Sequence, residues 1–335
     1  MRRLFLILVL LAAPVAACGG AGGPGAPPAV RIAVGGQSAL RFFPVYLAQE
    51  LGLFDQAGVS VTIDNLSGSA RGMQALLGGS ADVAAGFYDQ TIQIAAKGRD
   101  VRSFVVLTRY LGFVATAAPG SARTVARMED LKGGIVGVAA PGSSGHLLLN
   151  YLLSTHGMAQ DDVSIYSIGT GATSVAAMTR GAVDAGVIGD LVLIPLLAAK
   201  PDLAILADTR TAEGIRETFG VSAYPGSVLY ATADWLGTHE DAARRVAAAM
   251  QASLRWALSH TPAEVRDRLA AVYPGQDPAM LLEALEGTIR MLSPDGVMAA
   301  DAPPAVRDVL AVSNPKVTGA LDLSRTYTNE LLAKN

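Results

Sequence analysis

Short apolar runs bounded by glycine or polar clusters alternate along this chain with longer amphipathic stretches, the pattern that parallel α/β structure produces. The run 31–34 predicts a first strand, 44–51 a helix with Pro44 in its first turn, and 59–64 a second strand. Residues 70–77 read as a helix stopped by Gly78 and Gly79, 82–85 as a strand, 89–97 as a helix and 102–108 as the next strand. Residues 128–131 and Gly133-Gly134 lead into a strand at 135–139, and there the pattern begins again. The segment from Ser67 to Val83 aligns with that from Gly169 to Ala185, matching Ala70 with Ala172, Ala75 with Ala177, Gly79 with Gly181 and Asp82 with Asp184 at one constant offset. Each copy reads as a small-residue loop, a helix, a glycine stop and an Asp-led strand. The repeat predicts two similar lobes, each with its own small parallel sheet.

Past Tyr224 the pattern changes. Residues 227–232 predict a strand in a return crossover, and helices follow. Thr238 is expected to cap a helix whose apolar positions Ala243, Val246, Ala247, Met250, Leu254 and Ala257 form one stripe. Thr261-Pro262-Ala263-Glu264 and Asp277-Pro278 are start signals for two more. Which lobe receives each helix is open at this level.

Where two such lobes face each other, the loops at the carboxyl ends of their strands line the crevice between them. Those loops are Gly36-Gln37-Ser38, Ser67-Gly68-Ser69, Phe87-Tyr88, Gly142-Ser143-Ser144 and Gly169-Thr170-Gly171. All but Phe87-Tyr88 are rich in glycine and hydroxyls, and each leads into a helix whose first N–H groups have no intrahelical partner. Converging helix N-termini favour an anionic group, each by about 0.3–1 kcal/mol when exposed. Taken singly, Ser69 or Ser143 reads equally well as an ordinary helix N-cap.

Composition narrows the chemistry. With 26 Lys and Arg against 29 Asp and Glu, the chain lacks the basic balance of a nucleic-acid binder. Its one cysteine, Cys18, allows no internal disulfide, and His146, His156, His239 and His260 show no metal-ligand spacing. No metal and no cofactor is expected. Arg2 and Arg3 precede an apolar run, 4–13, that is shorter than the about 20 residues a bilayer span needs, and Val15-Ala16-Ala17-Cys18 closes it. This leader resembles a bacterial lipoprotein signal, which implies removal of residues 1–17 and lipidation of Cys18. Two lipid chains on that cysteine give stable anchoring to a membrane. The Gly- and Pro-rich stretch 18–29 then reads as a flexible tether spanning on the order of 20 Å. The expected location is extracytoplasmic, on the bacterial membrane.

A family comes into view in Phe43-Pro44-Val45-Tyr46-Leu47-Ala48, Gly52-Leu53-Phe54 with Gly58-Val59, and Ala75-Leu76-Leu77 with Gly79 and Asp82-Val83. Leu131-Lys132-Gly133 with Gly137-Val138, Gly142 to His146, and Ala176-Ala177-Met178 to Asp184 extend it, so that it runs from about residue 31 to 256. In these stretches the chain resembles the substrate-binding proteins of ABC importers for sulfonates, nitrate and taurine, whose relatives bind thiamine pyrimidine precursors. The resemblance implies the type II periplasmic binding protein fold: two α/β lobes with mostly parallel sheets, joined by two crossover segments, with the ligand cleft between them. Lobe 1 would comprise 30–117 and 224–335 with the C-terminal helices, and lobe 2 would comprise 118–223.

Carried onto this sequence, the family's ligand-contacting positions fall on Gln37, Ser38, Ser67, Gly68, Ser69, Phe87 and Tyr88 in one lobe. In the other they fall on Ser143, Ser144, His146, Thr170, Gly171 and Thr173. Phe42, Phe43, Tyr88, Tyr110 and Tyr224 are candidate aromatic walls, and Arg109 is the best-placed cation for a carboxylate or sulfonate. Asp190 falls where sulfonate binders carry a Trp-Asp-Pro turn, here changed to Gly189-Asp190-Leu191. It reads either as the N-cap of a helix over 191–199 or as a grip on a polar ligand group.

The implied protein is a monomeric, non-catalytic solute receptor that closes over a small organic or inorganic anion and delivers it to a membrane permease driven by an ATPase. A binder of an aromatic heterocycle, or a lipoprotein sensor coupled to a membrane kinase, would use the same residues. A hydrolase is disfavoured, because Gly142-Ser143-Ser144-Gly145 lacks the Gly-x-Ser-x-Gly elbow. The pyrimidine synthases related to the family need a cysteine-rich iron site, which a chain with one cysteine cannot build.

Overall fold

The computed structural model describes residues 27–66 and 68–333. The expected signal peptide, Cys18, the tether as far as Ala26, and Ser67 lie outside the described residues. The first repeat folds as β1 (Ala29–Val34), α1 (Phe43–Glu50), α2 (Leu53–Gln56), β2 (Ser60–Asn65), α3 (Ser69–Leu77), β3 (Val83–Phe87), α4 (Tyr88–Ala95) and β4 (Val101–Val106). After β5 (Val114–Ala117) come β6 (Ile135–Val138), α5 (Ser144–Thr155), β7 (Ser164–Ser167), α6 (Ala172–Thr179), β8 (Ala185–Ile188), α7 (Asp190–Ala199), β9 (Ile205–Asp208) and α8 (Ala212–Phe219). The chain then runs through β10 (Ser227–Thr232), α9 (Ala233–Thr238), α10 (Glu240–Ser259), α11 (Pro262–Arg268), α12 (Pro278–Met291) and α13 (Ala302–Ser313).

Two five-stranded sheets result, ordered β2-β1-β3-β10-β4 and β7-β6-β8-β5-β9. They share one plan. In each, the first strand pairs in parallel with the second and third, while a strand arriving from the opposite lobe, β10 or β5, inserts antiparallel beside the third. Each sheet is therefore mixed, because a crossover strand enters from the end at which the βα loops lie. β5, within the stretch expected in lobe 1, belongs to the second sheet.

The sequence repeat has a physical counterpart. Asp82 accepts the backbone N–H of Arg31 at 2.8 Å as β3 begins beside β1, and Asp184 accepts that of Ile135 at 2.9 Å as β8 begins beside β6. Burial acts to raise both carboxyls, but the bonds from Arg31 to Asp82, and from Ser121 and Ile135 to Asp184, hold them below the usual range. Gly79 and Gly181 both sit at φ 74°, a left-handed turn in which a Cβ is strained.

The helix signals mostly hold. Asp277 accepts from the N–H of Ala279 at 2.9 Å, and Thr261 with Glu264 forms a capping box. All six residues of the α10 stripe are fully buried. Thr238 is a correction: it ends α9 and donates to the Asp234 carbonyl at 2.8 Å, while Thr232 caps α9 by accepting from Trp235 N–H at 3.2 Å. α10 packs on α1 and α2, α12 on α7 and α11, and α13 on both α5 and α4, so the C-terminal helices reach both lobes. Among the described residues, no helix is long and apolar enough to cross a membrane.

Candidate functional site

The loops after β1, β2, β6 and β7 meet between the sheets. Gly36, Gln37, Ser38, Asn65, Gly68, Ala139, Thr170 and Thr173 line an open cavity of about 310 Å³ there. Its first-lobe wall is braced: Gln37 N–H donates to Asn65 Oδ1 at 2.8 Å, Asn65 Nδ2 donates back to Gln37 Oε1 at 2.9 Å, and Gln37 Nε2 donates to the Val272 carbonyl. The two walls touch, since a Cβ on Gly171 would lie 2.9 Å from Ser38 Oγ and one on Gly68 3.6 Å from Ala140 Cβ.

Behind this rim lies a smaller cavity of about 40 Å³. It is walled by Ser38 and Arg41 from one lobe, by Gly171, Ser174 and the first turn of α7 from the other, and by Phe113 and Thr288. The N-termini of α6 and α7 thus both open onto it, and their first amides have no intrahelical acceptor.

Arg41 is the cation in this space. It is only 5% exposed, and its guanidinium carbon lies 4.1 Å from the Phe113 ring centre and 5.5 Å from that of Phe87. Phe87 and Phe113 stack with centroids 5.2 Å apart, so one ring from each lobe floors the cation. Burial lowers the guanidinium to about 10, with Asp190 pulling it back up, so it stays charged at neutral pH. Among the described residues its one hydrogen bond goes to the Gly112 carbonyl, which leaves further donors for a ligand.

Gly189 makes room for this arrangement. A Cβ there would lie 2.7 Å from Arg41 Nη2, although φ of −111° suits any residue. The space beside Gly189 is filled by the Arg41 guanidinium. Asp190 is a correction to the N-cap reading, since Gly189 holds the cap position and Asp190 is the first residue of α7. Its carboxylate, 5% exposed, instead accepts from Arg210 Nη1 at 2.9 Å and Thr288 Oγ1 at 3.3 Å. It lines the small cavity as a carboxylate held by Arg210, a guanidinium it shares with Asp208.

Several expected contacts lie elsewhere. Phe43 is fully buried on α1, and Phe42 packs edge-on to Phe87 at 5.5 Å. Tyr88 is buried with its Oη 2.6 Å from Thr326 Oγ1, and Tyr224 stacks on Phe219 at 4.5 Å, so both belong to the core. Ser69 is 3% exposed and accepts from Gln90 Nε2 at 3.0 Å, facing its own lobe. Arg109 donates to the carbonyls of Leu292 at 3.1 Å and Arg290 at 3.2 Å and lies over Tyr110, closing the C-terminal end of α12 outside both cavities. The strand expected to run up to it ends at Val106.

On α5, Ser143 caps the helix by accepting from His146 N–H at 3.4 Å. His146 Nδ1 accepts from Gly142 N–H at 2.9 Å, and burial lowers its pKa. Ser144 Oγ donates to Asp89 Oδ1 of the opposite lobe at 2.6 Å. Thr173 Oγ1 donates to the Ile168 carbonyl at 3.0 Å, at the edge of the outer cavity. Arg41, Asn65, Phe113 and Thr288 are site residues that pattern reasoning missed. For Arg41 there was a signal: a lone cation inside the apolar run Ala39-Leu40-Arg41-Phe42-Phe43.

The chain is similar to several known proteins. The family described as NMT1/THI5 like matches residues 40–264. A solved protein of Bordetella bronchiseptica RB50 is 31% identical, covering 90% of this chain and 95% of its own, with a TM-score of 0.86. The alkanesulfonate-binding protein SsuA from Xanthomonas axonopodis pv. citri, bound to MOPS, is 20% identical over 91% of this chain and 100% of its own, with a TM-score of 0.70. The periplasmic nitrate-binding protein NrtA from Synechocystis PCC 6803 is 15% identical over 91% and 87%, with a TM-score of 0.66. No curated protein matches the sequence.

Proposed function

The chain belongs to the NMT1/THI5-like family, and from that membership we propose that it is the solute-binding component of an ABC importer, capturing a small anion between its lobes. The observation that carries the anion is Arg41, a buried cation with unused donors facing a cavity onto which two helix N-termini also open. Ser38, Thr170 and the Gly171 amide complete the polar lining, and the stacked Phe87 and Phe113 rings keep the guanidinium in a water-poor setting, where its pairing with an anion is strong.

No chemical step is needed. A ligand that touches both walls stabilises the closed arrangement by its differential affinity for it, and is held unchanged until release. A micromolar dissociation constant corresponds to about 8 kcal/mol. In this reading the lipid anchor at Cys18 keeps the receptor outside the cytoplasm near its permease, and the ATPase partner drives release. The alkanesulfonate-binding and nitrate-binding proteins among its structural relatives agree with this class of solute.

The test is a thermal-shift and calorimetric comparison of the purified full-length chain with alkanesulfonates, nitrate, aromatic carboxylates and neutral pyrimidines. One anionic class is expected to raise the melting temperature, and Arg41→Met is expected to abolish that shift while the folded spectrum is retained. Stabilisation by a neutral pyrimidine alone, or turnover of any ligand, contradicts the proposal.

A further inference from the structure

We infer that Asp89 is a proton-binding residue at the seam between the lobes, so that closure over the captured anion takes up a proton; this rests on the reading of the cleft as a site that closes on its ligand. Asp89 is the second residue of α4, in the first lobe, and Ser144 is the first residue of α5, in the second. Ser144 Oγ donates to Asp89 Oδ1 at 2.6 Å, and both residues are fully buried. The other carboxyl oxygen, Oδ2, is buried with no hydrogen-bond partner.

A buried carboxylate is tolerated when a cation or several donors compensate it. Here the compensation is thin. The titratable groups that sense Asp89 are the hydroxyls of Tyr224 and of Tyr230 on β10, which its charge raises, and among the described residues no lysine, arginine or histidine stabilises its ionised form. α13, which packs on both α4 and α5, buries Val306, Val309 and Leu310, and its charged residues Arg307 and Asp308 pair with each other at 2.7 Å. Burial pushes the carboxyl up to about 7, with the Ser144 hydroxyl and the Gln90 amide pulling it back. His146, two residues from Ser144, is held low by burial and accepts from Gly142 N–H of its own loop at 2.9 Å.

The sign follows from comparing the two arrangements. With the lobes apart, Asp89 loses Ser144, gains water and titrates near an ordinary aspartate value of about 3.9. With the lobes together its value is raised to about 7. Closure therefore binds a proton between those values. The proton's contribution is fully present at low pH and is lost as pH rises through about 7, where closing must bury an ionised carboxylate. An anion and a proton are then taken up together, which keeps the closed cleft from gaining net charge.

Calorimetry on the purified full-length protein tests this with ethanesulfonate, nitrate and benzoate as probes, none of which titrates in the range used. Titrations in buffers of different ionisation heat count the protons exchanged. About one proton is expected per ligand near pH 5.5, falling toward zero near pH 8, with affinity dropping about tenfold per pH unit before it levels. Asp89→Asn, an uncharged mimic of the acid form, should show no uptake, a flat profile and tighter binding than wild type near pH 8. Ser144→Ala removes a donor that favours the ionised form, so the midpoint should move upward.

The wild-type proton count decides the matter even if a variant folds poorly. Binding with no proton uptake, or uptake that persists in Asp89→Asn, overturns this inference and leaves the receptor reading standing. Failure of every probe to bind at any pH overturns the receptor reading, and the inference with it.

Discussion

At the scale of single residues, the site turns on a position with no side chain. Gly189 lets Arg41 reach across the lobe boundary, and the backbone there imposes nothing that alanine could not adopt. Gly189→Ala should therefore leave the fold intact but swing the guanidinium away from its place over Phe113. Anion affinity in calorimetry is expected to fall at least about tenfold, or 1.4 kcal/mol, with the melting temperature of the unliganded protein nearly unchanged. An equal loss of stability and affinity would mean that Arg41 is structural. Arg41 was hard to see because a cation inside an apolar run reads as an exposed residue interrupting a core segment. Only the opposing Phe87 and Phe113 rings, 26 positions apart in sequence, reveal that it is enclosed. Arg109 shows the converse: the pattern predicts it at a strand end, but β4 stops at Val106 and Arg109 is captured by the Leu292 and Arg290 carbonyls.

At the scale of elements, local signals worked where the chemistry is local. The capping box at Thr261 and the Asp277 cap are formed by residues within three positions of each other. Thr238 failed because a second threonine, six residues earlier, starts a short helix that the pattern does not separate from the next one. The two predict different outcomes. Thr232→Ala should cost about 1 kcal/mol in urea unfolding, as loss of an N-cap does, whereas Thr238→Ala should stay within about 0.5 kcal/mol, as an exposed substitution does. β5 and β9, four residues each, fall in the short apolar runs 113–115 and 203–207, too brief to mark strands by themselves. They exist because the sheet beside β8 offers an unpaired edge.

At the scale of the whole molecule, the described arrangement has its lobes in contact, through Ser38 against Gly171 and Ser144 against Asp89. Ligand is expected to lower the radius of gyration in solution scattering. At a concentration about 100 times its dissociation constant it should also add about 2.7 kcal/mol of stability. Unchanged scattering on saturation would contradict closure.

The duplicated βα pattern, the small-residue loops at strand ends and the caps at Thr261 and Asp277 were determined by the sequence alone, because each depends on backbone and side-chain chemistry within a few residues. The tertiary structure decided which of those loops meet, that Arg41 and not Arg109 is the enclosed cation, that Ser69 and Tyr88 turn inward, and that α12 and α13 lean on both lobes. Those outcomes depend on distance between segments far apart in the chain, and burial is a property of what surrounds a residue and not of the residue itself.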